Sequence, residues 1–203
     1  MASASCGGIS VRNAIYALMQ STCMPRQRSQ PHHKPAVNKR FEVGVISIST
    51  SRFAKYRSVK APEEAEDLSG RIIIDFLRSA GHKVHSYTLI SDEAALITTS
   101  VRALVSSTDV IITTGGTGLA PRDVTIEAVQ QMFQKEIPGF GELFRSISYD
   151  EIGSPAMLTR ATSGIIGNTA IFCLPGSPNA VTLAMEALIV PELQHILLHA
   201  SEQ

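Results

Sequence analysis

The sequence predicts an α/β protein, a three-layer α/β/α sandwich around a mostly parallel sheet. Short runs rich in Val and Ile alternate with segments whose apolar residues recur at helical spacing. This alternation is typical of parallel sheets. It starts at residue 41, whereas residues 1–40 hold six Lys or Arg and no Asp or Glu. We therefore expect a disordered basic tail over residues 1–40 and one domain over residues 41–203.

The first part of the domain is expected to contain a strand, a long loop and a helix. Alternation in V-G-V-I-S-I-S predicts a strand over residues 41–49. Residues 50–66 are polar and charged, which predicts a long connection. A helix is expected over residues 68–80, where apolar residues share one face and Gly81 follows as a stop.

The centre of the domain is expected to be strand, helix, strand. Residues 83–90 form the second strand, and Ser91 and Asp92 are expected to cap a helix over residues 93–106. The β-branched run in residues 109–114 predicts a third, buried strand. The apolar residues of the helix are expected to face the core: Leu96, Ile97, Val101, Leu104 and Val105.

The last part is expected to be mainly helical. A buried strand is predicted over residues 169–174, and the mixed segment 157–166 is expected to hold short strands. In the helix around residue 143, Leu143 is expected to face inward. The helices are expected over residues 125–134, 139–148 and 180–189, with a last helical turn from Pro191 to residue 198.

Composition excludes several function classes. Beyond residue 40 the chain carries twelve basic and eighteen acidic residues, so no nucleic-acid role is expected. No stretch reaches the roughly 18 apolar residues of a membrane span. Cys6, Cys23 and Cys173 lack metal or redox spacing, and Cys173 is expected to be a small apolar filler. We expect a cytoplasmic protein, with organelle targeting through the basic tail as the alternative.

The first candidate binding segment is the glycine-rich loop after the third strand. Three glycines in T-T-G-G-T-G remove Cβ atoms, so backbone N–H groups and a hydroxyl can approach an anion. A helix follows, and helix N-termini favour phosphate. The candidate nucleotide- or substrate-binding residues here are Thr114, Gly115, Gly116, Thr117, Gly118 and Arg122.

A second loop and two carboxylates are expected at the same edge of the sheet. The P-G-S-P-N loop follows another strand and contributes Pro175, Gly176, Ser177 and Asn179. Asp92 follows the second strand and Asp123 belongs to the first loop. Carboxylates hold Mg²⁺ beside phosphates, which suits a nucleotide and phosphoryl-type chemistry.

Each candidate also has a simpler interpretation. Asp92 can be only a helix cap, Asp123 can only favour a helix dipole, and Arg122 can be a solvated surface charge. Ser177 and Asn179 can make only a turn and a cap. The loops match neither a phosphate-binding Walker motif nor a dinucleotide-binding fingerprint. The residues alone therefore indicate an α/β protein with a phosphate-bearing ligand and Mg²⁺.

Four motifs in order resemble the molybdopterin-binding family of molybdenum cofactor biosynthesis. They are T-T-G-G-T-G-x-x-x-x-D-V-T, the upstream S-D-E, F-G-E-x-F-R and L-P-G-S-P-N-A-V. The resemblance covers residues 43–198, and D-L-S-G and S-Y-D-E-I-G are most similar to the protein B (MoaB) branch. Related branches are the MogA-type molybdopterin adenylyltransferases.

The resemblance implies an activity and partners. Molybdopterin would attack Mg-ATP, its co-substrate, to give adenylylated molybdopterin and pyrophosphate. Asp92 and Asp123 stand where active members need aspartates, as catalytic and Mg²⁺-binding residues; some protein B members lack the second and are inactive. A homotrimer is implied, with the molybdenum-insertion protein of the pathway as a further partner.

Two other function classes stay open at this point. One is a molybdopterin-binding or scaffold protein of the same pathway that does not consume ATP. The other is a protein of the same fold that acts on other nucleotides, as the related domain of competence-damage-type proteins does.

Overall fold

The computed structural model of the protein describes residues 39–201. The tail predicted over residues 1–40, with Cys6 and Cys23, lies outside the described residues apart from its last two positions.

A six-stranded sheet forms the centre of the described domain. Its strands are β1 Glu42–Ile48, β2 Lys83–Ile90, β3 Val110–Thr114, β4 Lys135–Glu136, β5 Thr162–Ile166 and β6 Thr169–Leu174. Their order across the sheet is β2-β1-β3-β6-β5-β4. β2, β1, β3 and β6 run parallel, while β5 and β4 are antiparallel to their neighbours. The mostly parallel sheet predicted from the sequence is confirmed.

Seven α-helices are described around this sheet. They are α1 Thr50–Tyr56, α2 Leu68–Ser79, α3 Ala94–Val105, α4 Thr125–Gln130, α5 Pro138–Ile152, α6 Pro178–Ala184 and α7 Val190–Ser201. Short 3₁₀ turns occupy Pro62–Ala65 and Ser154–Leu158, and a π-helical turn at Met185–Ile189 joins α6 to α7.

The two faces of the sheet carry separate apolar cores. In β1, Val43 and Val45 pack with α2, α5, α6 and α7, whereas Ile46 and Ile48 pack with α3 and α4. This alternation follows from the two-residue period of a strand, which sends successive side chains to opposite faces. Helices on both faces give the three layers that the sequence predicts.

The connection predicted over residues 50–66 is partly helical, so that prediction was wrong. Ser49 caps α1 by accepting a hydrogen bond from the Arg52 N–H at 3.4 Å. No residue of α1 is fully buried and only Phe53 and Tyr56 pack partly against the core, so the apolar face of this segment is too short for a helix to be predicted from it.

Two further expectations about helices are corrected. Glu93 precedes α3 as its N-cap, and Asp92 does not cap that helix; its carboxylate binds Thr50 instead. Leu96 and Leu143, both expected to face the core, are 37% and 56% exposed. In each of these helices only some of the apolar residues are buried, and Leu96 and Leu143 lie outside the buried face.

Helix bounds also differ where strand pairing or a glycine decides them. α4 ends at Gln130 because the Gln134 N–H donates to the Ile165 carbonyl and draws the chain into the sheet edge. α5 runs on to Ile152 and ends at Gly153, which has a φ of 68°.

The C-terminal helices form one continuous segment, Pro178–Ser201. The Val190 N–H reaches the Met185 carbonyl, a wider π-type turn directly before Pro191. Since proline has no N–H and crowds the preceding turn, widening that turn lets the helix continue. By length and composition alone the segment could cross a membrane, although no stretch was expected to do so from the sequence. Its buried side chains, such as Ala184, Met185 and Ile189, pack instead in the core.

Cys173 and Tyr87 are titratable residues buried in the core. Burial raises the pKa of the Cys173 thiol to about 12, so Cys173 acts as the expected apolar filler. The Tyr87 hydroxyl donates to Asp67 Oδ2 at 2.8 Å, and both residues are buried. Burial, and then the Asp67 charge, raise the pKa of Tyr87 far above its usual value near 10.

Tyr87 should make unfolding easier at alkaline pH. Above about pH 10 the unfolded chain releases the Tyr87 proton while the native protein keeps it. The free energy of unfolding should therefore fall with rising pH, by up to about 1.4 kcal/mol per pH unit from this group. Urea unfolding across this pH range measures the slope.

Tyr87→Phe should reduce stability at neutral pH, because Asp67 loses its donor, and should flatten the alkaline decline. Tyr149→Phe, a change at an exposed tyrosine, is the control. Identical alkaline slopes for the wild-type protein and Tyr87→Phe would contradict the assignment.

Candidate functional site

One cavity of about 940 Å³ lies where the parallel strands end. Ile48 pairs with Ile90, Ser47 with Thr114, and Thr114 with Leu174, so four strands finish at the same edge. The loops that leave these strands therefore meet there, as expected for ligand sites of parallel sheets. Eleven of the twelve predicted site residues line the cavity, all but Thr114: Asp92, Gly115, Gly116, Thr117, Gly118, Arg122, Asp123, Pro175, Gly176, Ser177 and Asn179.

Two carbonyl groups of the first glycine loop accept hydrogen bonds from Thr125, at the start of α4. Thr125 Oγ1 donates to the Gly115 carbonyl at 2.9 Å, and the Thr125 N–H donates to the Gly116 carbonyl at 2.9 Å. In a trans peptide the C=O and the following N–H point in opposite directions. The amides of Gly116 and Thr117 thus point away from Thr125, and within residues 39–201 neither has a backbone acceptor. Unpaired amides on a cavity wall suit an anionic ligand.

The glycines of this loop make room for the two aspartates. A Cβ at Gly116 would lie 2.6 Å from Asp92 Oδ1, and one at Gly118 would lie 2.5 Å from Asp123 Oδ2. Both distances are shorter than a non-bonded contact permits. The glycine pattern therefore reflects the close approach of the carboxylates as well as any approach by a ligand.

Asp92 joins the loop after β2 to the helix after β1. Its Oδ2 accepts hydrogen bonds from the Thr50 N–H and the Thr50 hydroxyl, each at 2.8 Å. Asp92 therefore does accept a hydrogen bond from a helix N-terminus, as the simpler interpretation expected. The helix is α1, however, and not the helix that follows Asp92 in the sequence. The sequence gives no cue to this pairing, because Thr50 is 42 positions away.

The chemistry of the two aspartates suits a magnesium ion that binds beside a phosphate. Asp123 Oδ2 accepts a hydrogen bond from the Ala120 N–H at 3.2 Å. In the described part of the chain the Oδ1 atom of each carboxylate has no donor, and both residues line the cavity. No group of three or more His, Cys, Asp or Glu suited to a metal is found among residues 39–201. Mg²⁺ commonly binds through one or two carboxylates plus substrate phosphates, which this pair can provide.

The second loop packs against the end of β3. Thr114 is 2% exposed and lies behind the wall of the cavity, where its hydroxyl donates to the Pro175 carbonyl at 2.9 Å. The Ser177 hydroxyl accepts a hydrogen bond from the Ala180 N–H at 3.4 Å and so caps α6. Ser177 and Asn179 remain exposed on the cavity wall.

A cation that sequence reasoning missed, Arg160, lies in the wall beside the first loop. Its Nη1 donates to the Gly118 carbonyl at 3.1 Å, and its Nη2 forms an ion pair with Glu127 Oε1. Burial raises the pKa of Glu127, but the hydrogen bond and charge of Arg160 outweigh it and hold that pKa below its usual value. Arg122 is exposed and has no ion-pair partner in the described residues. The guanidinium of Arg160 is thus held in place, whereas that of Arg122 is not.

One side of the cavity is apolar, and sequence reasoning missed this side too. Ile152 and Leu158 line it although they are 55% and 57% exposed. Ile152 belongs to the S-Y-D-E-I-G segment and Leu158 follows it, and the only signal of this segment in the sequence was its resemblance. The cavity therefore combines amides, carboxylates and a fixed cation with an apolar wall, a set that suits a phosphate-bearing organic molecule.

Comparisons with known proteins agree with the fold. The model of the family described as "Probable molybdopterin binding domain" matches residues 44–195. Molybdenum cofactor biosynthesis protein B of Bacillus subtilis is 44% identical over 172 residues, which is 83% of this chain and 95% of that protein.

Solved structures give the same result. A crystal structure of a molybdenum cofactor biosynthesis protein B is 44% identical, with a TM-score of 0.74 over 83% of this chain and 100% of the other. The tungsten cofactor synthesizing protein MoaB from Pyrococcus furiosus is 40% identical, with a TM-score of 0.72 over 81% of this chain and 99% of the other.

Gly118→Ala should displace Asp123 without unfolding the protein. The new methyl group would meet Asp123 Oδ2, which can move because it ends a short side chain. We expect the Asp123 carboxylate to leave the Ala120 N–H in a crystal structure of the variant. The melting temperature should shift by no more than about 4 °C.

Gly139→Ala is the matched control, because nothing lies within 4 Å of a Cβ at that glycine. An unmoved Asp123 in Gly118→Ala would show that the glycine is not needed for the position of the carboxylate.

Proposed function

Because the chain belongs to the molybdopterin-binding family of molybdenum cofactor biosynthesis, we propose that it transfers adenylate from Mg-ATP to molybdopterin. The products would be adenylyl-molybdopterin and pyrophosphate. One observation carries the proposal: two carboxylates and two glycine loops with unpaired amides surround a single cavity.

The reaction needs alignment more than proton transfer. An oxygen of the terminal phosphate of molybdopterin attacks the α-phosphorus of ATP. The bond from that phosphorus to the bridging oxygen breaks, and pyrophosphate leaves with the electron pair. The attacking phosphate is already anionic at neutral pH, so no base is required. Holding the two reactants in line and neutralising their charge supplies the catalysis.

Asp92 and Asp123 are assigned to magnesium and to the nucleotide. Asp92 is fixed by Thr50 and Asp123 by the Ala120 N–H, so each presents its other oxygen, Oδ1, from a defined position. Mg²⁺ bound there would offset negative charge on the phosphates of ATP.

The loops and Arg160 are assigned to the phosphates of the two substrates. The amides of Gly116 and Thr117 supply donors from the first loop, and Gly176 and Ser177 supply them from the second. Arg160 supplies a positive charge whose position is already set by Glu127 and the Gly118 carbonyl. Such preorganised donors cost little reorganisation during the reaction.

We also propose that the chain forms a homotrimer, as its resemblance to the family implies. Four large apolar side chains are exposed between the end of α5 and the following 3₁₀ turn: Tyr149, Ile152, Met157 and Leu158. Apolar exposure on this scale suits contact with a partner.

Purified protein given molybdopterin, ATP and Mg²⁺ should release pyrophosphate, and Asp123→Asn should lose most of this release. The amide keeps the size of the side chain but removes the negative charge that the magnesium site needs. Asp75→Asn is the control, because Asp75 is an exposed carboxylate outside the cavity.

Near-normal release by Asp123→Asn would end the carboxylate assignment. Binding of molybdopterin without any release by the wild-type protein would instead identify a binding or scaffold protein of the same pathway.

Arg160→Gln should slow pyrophosphate release more than Arg122→Gln does. Arg160 is held by two partners and needs no ordering, whereas the exposed Arg122 side chain loses conformational entropy when it engages a ligand. We expect a decrease of about 100-fold in kcat/KM for Arg160→Gln and less than about 10-fold for Arg122→Gln. The reverse order would assign the catalytic cation to Arg122.

A further inference from the structure

The D-L-S-G segment, Asp67 to Gly70, has no part in the proposed chemistry, yet it is tied to the site. Ser69 is 3% exposed and does not line the cavity. Its hydroxyl donates to the Gly176 carbonyl at 2.8 Å, across 107 positions of the chain. The first turn of α2 thus contacts the second glycine loop from behind.

The segment has a fixed position because it is anchored to the sheet. Asp67, the N-cap of α2, accepts a hydrogen bond from the Tyr87 hydroxyl of β2 at 2.8 Å. A Cβ at Gly70 would lie 2.4 Å from Asp67 Oδ2. Any larger residue at position 70 would therefore disturb the Asp67–Tyr87 hydrogen bond. Ser69 therefore starts from a backbone that the core holds in place.

The hydrogen bond from Ser69 sets the direction of the neighbouring amide. Since the peptide between Gly176 and Ser177 is planar and trans, its N–H points opposite to its C=O. The C=O is directed at the buried Ser69 hydroxyl, so the Ser177 N–H is directed away from α2, toward the side on which the cavity lies. Within residues 39–201 no backbone acceptor takes this N–H.

We propose that Ser69 is a positioning residue: its hydroxyl orients the Gly176–Ser177 peptide so that the Ser177 amide binds a phosphate oxygen of the substrate. This inference rests on the proposed adenylyl transfer, in which both substrates carry phosphate. Thr114 acts in the same way one peptide earlier, through the Pro175 carbonyl. Two hydroxyl groups behind the loop thus fix two successive peptide groups.

The direct test follows the Ser177 amide by NMR in ¹⁵N-serine-labelled full-length protein titrated with inorganic pyrophosphate. In the wild-type protein the amide signal should shift, and in Ser69→Ala the apparent Kd should rise about tenfold, the loss of one oriented hydrogen bond. Ser69→Thr, which keeps the hydroxyl, should restore most of the affinity. Thr98→Ala, which removes a hydroxyl-to-carbonyl bond outside this cavity, should leave the affinity unchanged.

Kinetics identify which substrate supplies the phosphate. Ser69→Ala should raise KM about tenfold for one substrate with a smaller change in kcat, because binding and not chemistry loses a donor. A higher KM for molybdopterin assigns the amide to the terminal phosphate of the pterin, and a higher KM for ATP assigns it to the nucleotide.

The two proposals fail in different ways. A Ser177 amide that does not respond to pyrophosphate, or a Ser69→Ala variant with unchanged Kd and KM values, overturns the role of Ser69 while adenylyl transfer stands. A wild-type protein that releases no pyrophosphate, but whose Ser177 amide responds in a Ser69-dependent way, overturns adenylyl transfer while the role of Ser69 stands.

Discussion

The parallel pairing of β2, β1, β3 and β6 is the constraint on which the site depends. Backbone hydrogen bonds fix the register, and the register brings four strand ends to one edge within about one residue of each other. Because β1, β3 and β6 are buried on both faces, a slip of one residue in any of them would exchange the two cores as well as misalign the loops. The packing of the interior thus determines which side chains can meet at the cavity.

At that edge of the sheet, several hydroxyl groups and one guanidinium group donate hydrogen bonds to backbone carbonyls of the loops. Thr125, Arg160, Thr114 and Ser69 each donate to a carbonyl of a glycine loop or of its first proline. Buried carbonyls need donors, and these bonds satisfy that need. Because the N–H of a trans peptide points opposite to its C=O, these bonds also determine the direction of the N–H groups in each loop. These bonds fix the backbone of the glycine loops, so the loops present N–H groups to the cavity in defined positions.

Much of this arrangement could be predicted from the sequence, and the failures have physical causes. The buried strands and the shared edge follow from β-branched runs and from the geometry of parallel sheets. α1 was missed because its apolar face consists only of the partly buried Phe53 and Tyr56. The cap by Asp92 was assigned to the adjacent helix because its true partner is distant in sequence. Ser69 and Arg160 act on carbonyls 107 and 42 positions away, which no local pattern encodes. The identity of the substrates came only from resemblance.

The bond between Asp92 and Thr50 makes α1 sensitive to what occupies the cavity. No residue of α1 is fully buried, although Phe53 and Tyr56 pack partly against the core, and the Asp92 carboxylate adds to the Ser49 cap by accepting the first N–H of the helix. The cation proposed to bind Asp92 would draw charge from this carboxylate and weaken the cap, and thermodynamic linkage would make the effect reciprocal. Local unfolding of α1 and occupancy of the proposed carboxylate site would then be coupled equilibria, and hydrogen exchange in this one helix would report on the state of the site.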